Sequence, residues 1–475
     1  IPSKAQPRIY RLPKMGPSDL QKDFSLLQKI LEANHPSLYW YTPKAGIDSA
    51  FTAGIAGITD SLDEVAFRNR IATVLSLIRC GHTYVRFSRQ FEKQVARYRY
   101  PAFPLYLKIW PDTLVILGSM FPGDRVFKRG TQVLSINGRS PDAFTAAFFP
   151  YIVSDGYAFN YKYASVSSNF PAWYKTILGL DTTYRIRYID SLGRESIAVI
   201  PNYLPVHKKD SIQPIQKAPG LSKKQRRKLE RLQRRYLRID TLQHIAYMHL
   251  ADFSGGRLRG FFRRSFRALH KTGVEHLVLD VRDNEGGRVN NSVLLGKYLA
   301  DHPFKVGDTV VAISRRFRYG RYIHPAWIYW LAMNLGAHKE ADGLIHFRRY
   351  ERKRFEPDKR WHFSGRIWVL QGGLSFSATT MLLGTLKGQP NVKLVGEETG
   401  GGYYGSSAMY LPTIRLPHSG LRISLPLYRL VEDANRPKGQ GVMPDIPVPP
   451  SLPDIRAGID TKMTIVRKMI SKSNE

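Results

Sequence analysis

The sequence predicts an α/β protein, and three observations carry the prediction. From about Ile239 onward strand-like and helix-like segments alternate: Ile245 to Leu250, a helix Leu258 to Leu269, a strand His276 to Val281, a helix Asn290 to Leu299. Such alternation places helices against a largely parallel sheet. Ahead of that stretch, Tyr98 to Tyr151 has the short apolar runs of strands, and the first 95 residues have helical periodicity. A chain of 475 residues exceeds one ordinary core, so several domains are expected.

In order along the chain, Ser18-Asp19-Leu20-Gln21 reads as a capping box. Leu20, Phe24, Leu27 and Leu31 then share one helical face, and Pro36 stops the helix. Ser61-Leu62-Asp63-Glu64 reads as a second box, leading to Ile71, Val74, Leu75 and Ile78 with Gly81 as C-cap. Pro104 to Ile109, Leu114 to Leu117 and Gly130 to Gly138 read as strands, the last ending in an Asn-Gly turn signal. Tyr184 to Ile200 is a further β segment. The block from Lys223 to Arg238 carries nine basic residues and one acid, with Leu229, Leu232, Tyr236 and Leu237 in partial helical register. It reads as a solvated helical insertion. The expected organisation is therefore a helical unit over 1–95, a β module over 96–155, a β segment with the basic insertion over 156–238, the α/β core over 239–450 and a C-terminal helix over 451–475.

Composition bounds the function. Lys and Arg number 72 against 38 Asp and Glu, a net charge of +34. That field attracts nucleic acid, anionic lipid or polysaccharide and acidic peptides alike. No recognised nucleic-acid motif and no zinc spacing is present, so an anionic envelope surface ranks ahead of nucleic acid. The single cysteine, Cys80, excludes an internal disulfide framework and a cysteine-rich metal site. No run reaches the ~18 apolar residues that spanning a bilayer needs. A second basic and aromatic zone, from Arg315 to Trp361, reads as a groove, a membrane-surface contact or a packed lid. A chain beginning at Ile1 is expected to have lost an export segment.

Three segments point to chemistry. Ile367-Trp368-Val369-Leu370 runs as a buried strand into Gly372-Gly373-Leu374-Ser375-Phe376-Ser377-Ala378, after which Leu382, Leu383 and Leu386 give a helix its inner face. A serine at such a junction lies beside the unpaired N–H groups of the first helical turn, which suits a nucleophile whose reaction develops an oxyanion. Serine is also a common N-cap, and Ser375 stands two positions earlier. His82, just past a helix end, is the base a serine hydroxyl needs, although a histidine there can equally be a simple C-terminal cation. Leu277 to Asp280 runs through Arg282 and Asn284 into Gly286-Gly287, whose bare backbone can donate to an oxyanion together with Ala378. Cys80 reads as a small buried hydrophobe and Asp280 with Arg282 as a structural pair.

These segments resemble the S41 family of serine peptidases, the tail-specific or C-terminal processing proteases and their tricorn-like relatives. Asp280 to Gly287 is similar to the family's oxyanion-hole strand and Ser377-Ala378 to its nucleophile elbow. Gly396-Glu397-Glu398-Thr399 and Gly441-Val442-Met443-Pro444-Asp445 resemble its later landmarks, and Gly130 to Gly138 the end of its PDZ-like module. The resemblance implies a crotonase/ClpP-like protease core, a PDZ-like module over 96–155 and no cofactor or metal. One branch of the family uses a lysine base; Gly402 stands at that place, so the resemblance implies the histidine-base branch with His82. That branch also has a serine before the histidine and a glutamate before the Gly-Val-x-Pro-Asp segment, where this chain has Gly81 and Lys438; Glu432, Asp433 or Glu398, or else a backbone carbonyl or water, is the substitute. The implied site is then Ser377 as nucleophile, His82 as base, and Gly286 with Ala378 as oxyanion hole. The implied activity is exported, periplasmic or envelope-associated cleavage of unfolded or C-terminally presented protein and peptide substrates. The rival readings are a catalytically impaired peptide-binding relative and an anionic-polymer binder on the same scaffold. The oligomeric state stays open.

Overall fold

The computed structural model describes residues 13–96, 100–204, 222–255 and 257–473. The expected units therefore lack 1–12, 97–99, 205–221, 256 and 474–475, which lie outside the described residues, as do the side chains at 223, 227 and 231 of the basic block.

A six-stranded sheet organises the second half of the chain, in the order Ile446–Pro447, Val392–Gly396, Arg366–Gln371, His276–Asp280, Ile245–Leu250, Arg235–Asp240. Neighbours are parallel except for the last pair. His276–Asp280 reads HLVLD, without polar alternation, because helices cover both faces of the sheet. On one face Leu277, Leu279, Ile367 and Val369 meet the helices Leu258–Thr272, Val289–Leu299 and Ala378–Leu386. On the other, Val278, Leu370 and Val395 meet Val466 and Ile470 of Thr461–Ser473. This is the α/β layer the alternation predicts. The expected single C-terminal helix is two, Leu452–Ala457 and Thr461–Ser473, broken at Gly458, whose φ is +70°.

The basic block divides where its composition changes. Lys223–Arg234 is helical, but Arg235–Asp240 pairs antiparallel with Ile245–Leu250 as the sheet edge. Tyr236 and Leu237, expected on the helix, alternate on that strand instead; sheet pairing overrides the weak helical period.

A second, five-stranded antiparallel sheet runs Leu105–Trp110, Thr113–Ser119, Gln132–Ile136, Thr183–Ile189, Glu195–Pro201 in sequence order. Its third and fourth strands pair across the expected boundary at 155, so 100–204 is one unit rather than a β module followed by a separate segment. The intervening helices Pro141–Phe148, Asn160–Ser168 and Phe170–Ile177 cover it, with Phe103, Phe144, Phe148, Phe170 and Tyr184 as the shared aromatic core. The Asn137-Gly138 turn forms with both φ values positive, but it leads into a helix instead of a return strand.

The N-terminal helices are Pro17–Asn34, Lys44–Ala56 and Glu64–Leu77. The expected caps shift. Gly16 and Pro17 open the first helix, with no side-chain cap from Ser18. Asp63, not Ser61, caps the third by accepting from Ala66 N. That helix ends at Leu77, and Arg79 takes the left-handed φ of 55° that Gly81 was expected to take. Nor do these helices own their core. Leu20, Phe24, Phe67 and Leu75 belong to one cluster with Val310, Ile323, Ile414, Ile423 and Tyr428, so the unit expected over 1–95 is welded to the far end of the chain. The Val85–Arg86 strand pairs with Arg422–Ser424 and fixes the loop just before it, which holds His82.

Candidate active site

Ser377 sits where Arg366–Gln371 passes through Gly372-Gly373 to the helix Ala378–Leu386. Its φ of 56° with ψ −124° is a backbone state that non-glycine residues avoid, stored strain on the order of 1–3 kcal/mol. The strain turns the side chain away from its own helix: Ser377 makes no capping hydrogen bond. Instead its Oγ lies 3.0 Å from Nε2 of His82, across 295 residues of chain. Ser375 is excluded as the rival because its Oγ donates to Val281 O at 2.8 Å and is fully buried.

The loop holding His82 is fixed from behind. Thr83 N donates to Cys80 O, and Thr83 Oγ1 lies 2.8 Å from Nε2 of buried His35, whose Nδ1 accepts from Ser37 N. Burial lowers His35 to about 3, so it is neutral with its proton on Nε2. His82 is also buried, and desolvation pulls its pKa down to about 4 against the upward pull of the Ser407 carbonyl. The ring is therefore neutral at pH 7, the form a base requires. Its Nδ1 has no hydrogen-bond partner among the described residues, so the Ser407 oxygen acts on it from outside hydrogen-bonding geometry.

No motif marks Asp155, yet it faces this ring. A carboxylate oxygen of Asp155, a ring nitrogen of His82 and Sγ of Cys80 all lie within 4.8 Å of one another. Asp155 accepts from Gly81 N at 2.8 Å and from Gly402 N at 3.4 Å, and burial lifts its pKa to about 7. The cluster has metal-ligand residue types; burial pushes the Cys80 thiol up to about 12, which keeps it protonated and a poor nucleophile. The expected substitutes for the supporting acid lie elsewhere. Glu432 is ion-paired with Arg436 at 3.2 Å, and Glu398 accepts from Gly441 N at 2.7 Å. Lys438 is turned away, its Nζ donating to Trp40 O.

The oxyanion donors divide. Gly286 packs directly on the nucleophile: a Cβ there would stand 2.7 Å from the Ser377 Cβ and 3.0 Å from Ala378 N. Its own N–H, expected to be available, donates to Asn284 Oδ1 at 2.9 Å, because Asn284 uses its side chain to close the turn. The N–H groups of Ala378 and Gly287 have no acceptor among the described residues. Asp280 and Arg282 are the expected structural pair at 2.9 Å, extended to Asp460.

His82, Ser377, Gly286 and Gly287 open into one cavity of about 600 Å³. Tyr84, Tyr161, Trp173 and Leu411 line its walls, and Asp283 and Glu285 its rim.

Residues 244–448 match the sequence model of Peptidase family S41. No curated protein sequence matches the chain. Among solved structures, mature CPAF complexed with lactacystin is similar at TM-score 0.66 and 14% identity, over 96% of this chain and 98% of that one. A serine-to-alanine mutant of CPAF is similar at TM-score 0.68 and 13% identity, over 96% of each chain. At those identities the likeness is one of fold. The matched segment is that of a serine-type peptidase.

Proposed function

We propose that this chain, whose residues 244–448 belong to peptidase family S41, is a serine endopeptidase that cleaves unfolded or C-terminally presented polypeptides. The observation that carries the reading is the 3.0 Å approach of Ser377 Oγ to His82 Nε2, made by a serine held in a strained turn and a histidine kept neutral by burial. With Nε2 unprotonated, the Ser377 hydroxyl donates to it. As the oxygen attacks the scissile carbonyl, the proton passes to Nε2, and His82 later returns it to the leaving amine. Water, activated by the same nitrogen, then hydrolyses the acyl-enzyme. Ala378 N–H meets the developing oxyanion, and Gly287 N–H supplies the second donor in place of Gly286.

Asp155 takes the supporting role that Glu432 and Glu398 are too occupied to fill. It does not orient His82 by a direct bond; it places a buried carboxylate within 4.8 Å of the ring cluster, where it stabilises the imidazolium that forms during attack. The six-stranded layer is read as the crotonase/ClpP-like core the family resemblance implies, and the PDZ-like module it implies over 96–155 as part of the larger antiparallel sheet of 100–204. The cationic surface holds the enzyme at an anionic envelope surface after export.

The test is cleavage of a reduced, unfolded protein followed by mass spectrometry, with wild type, Ser377→Ala and His82→Ala. Each variant is expected to lose roughly 10³-fold or more in kcat. Cleavage at wild-type rate by Ser377→Ala overturns the mechanism, and a wild type inert on every unfolded substrate favours the peptide-binding alternative.

A further inference from the structure

The helix Ala326–Gly336, AWIYWLAMNLG, contains no charged residue, and it is not buried. Met333 is its one fully buried side chain, and Tyr329 leans on Tyr410 at 5.7 Å between ring centres. The opposite face presents Trp327 at 69% exposure, Leu335 at 79%, and Ile328, Trp330 and Leu331 each near half. The only polar side chain on that face, Asn334, donates back to Trp330 O. A helix apolar all round belongs in a core or against lipid, and a contiguous apolar face this large is rare on a free monomer.

What surrounds the face decides the occupant. The segments that enter and leave the helix carry exposed Arg316, Arg318, Arg321 and Lys339. Across 315–361 twelve Lys and Arg stand against five Asp and Glu. Of those five, Glu340 is paired with Arg348 and Arg352, and Asp342 and Glu351 with His346. In a two-fold dimer the same patch faces itself, so each cationic margin would be set against its own copy on a chain already at +34. An anionic lipid surface satisfies both halves of the patch at once: acyl boundary for the tryptophans and leucines, headgroup phosphates for the arginines. Eleven residues are too short to span a bilayer, and no helix among the described residues is long and apolar enough to do so.

We infer that the Ala326–Gly336 helix is an interfacial anchor that docks this protein on anionic phospholipid bilayers, lying in the headgroup plane with Trp327, Trp330 and Leu335 inserted. The inference stands independently of the proteolytic reading. It is tested by flotation of the full chain with vesicles of phosphatidylcholine alone or with a third of the lipid as phosphatidylglycerol, beside sedimentation velocity without lipid. Wild type is expected to float with the anionic vesicles and not the neutral ones, and Trp327→Ser with Leu335→Ser to lower the bound fraction about tenfold. These side chains are solvent-exposed, so the variant should keep the wild-type melting temperature. Leu242→Ser, at a 93% exposed site outside the zone, should change nothing. Vesicle binding that the double variant leaves intact overturns the assignment. So does a dimer, seen without lipid, that the double variant dissociates, because the face would then be a contact between copies.

Discussion

Gly81 stands where the resemblance to the histidine-base branch implies a serine. Its surroundings explain the departure: a Cβ there would lie 2.3 Å from Phe376 Cζ and 3.2 Å from Asp155 Oδ1. Phe376 is itself packed at 5.0 Å between the rings of His82 and Tyr161. Restoring the serine by Gly81→Ser should therefore harm the site, lowering stability by about 1–3 kcal/mol and moving the ring on which Phe376 leans. Thermal melting with a peptidase assay measures both; a gain in activity would contradict this packing account. The two buried titrating groups make a second prediction. His82 loses its proton near 4 and Asp155 near 7, so kcat/KM should begin to rise at acid pH well below the ordinary histidine value. It should then rise again as Asp155 ionises through about 7 and becomes a counter-ion for the imidazolium. Asp155→Asn should flatten the upper step and keep the lower one; a lone limb near 6.5 in both proteins would remove Asp155 from the mechanism. Ser377 and His82 stand out as candidates in the sequence because each lies in a local pattern, a strand-to-helix turn and a helix end. Asp155 does not, since its place beside the ring is fixed by backbone donors at Gly81 and Gly402, contributed by segments far away in the chain. The same holds for the Gly286 N–H, whose engagement depends on which way Asn284 folds back.

Among elements, Ile245–Leu250, His276–Asp280 and Arg366–Gln371 of the α/β layer are legible because apolar runs bounded by turn residues leave little freedom, whereas Arg235–Asp240 reads as helix and Val392–Gly396 is not announced. Caps and partners were less legible. Ser18 looked like a cap, but Pro17 can occupy only the first turn and moves the start to Gly16. Tyr184 to Ile200 looked like an isolated β segment because nothing local announces that Gln132–Ile136 is its partner across some fifty residues. One tertiary contact shows how such distant elements are locked together. Asp23, buried within the first helix, accepts from His418 N, Ser419 N and Ser419 Oγ on the loop before Arg422–Ser424, the strand that pairs with Val85–Arg86 beside His82. Asp23→Ala leaves those donors unsatisfied and should cost about 2–4 kcal/mol. Denaturant melts should show the loss, and peptidase activity should fall as the His82 loop loosens. A variant as stable as wild type would mean that the shared apolar core alone joins the two ends of the chain.

Across the whole molecule the excess of positive charge has a cost: like charges repel in the compact state, and salt screens them. Raising ionic strength from low salt to about 0.5 M, where screening reaches only a few ångströms, should raise the melting temperature, the reverse of a protein held together by surface ion pairs. The proposed activation of Ser377 as a nucleophile by His82 is, by contrast, local. A fluorophosphonate probe with peptide mapping tests it most directly, because the adduct reports which oxygen attacks whether or not a natural substrate is known. One phosphonyl adduct is expected, on Ser377, lost in Ser377→Ala and slowed at least about a hundredfold in His82→Ala. An adduct on Ser375 or any other serine, or labelling of Ser377 that proceeds unchanged without His82, would contradict it.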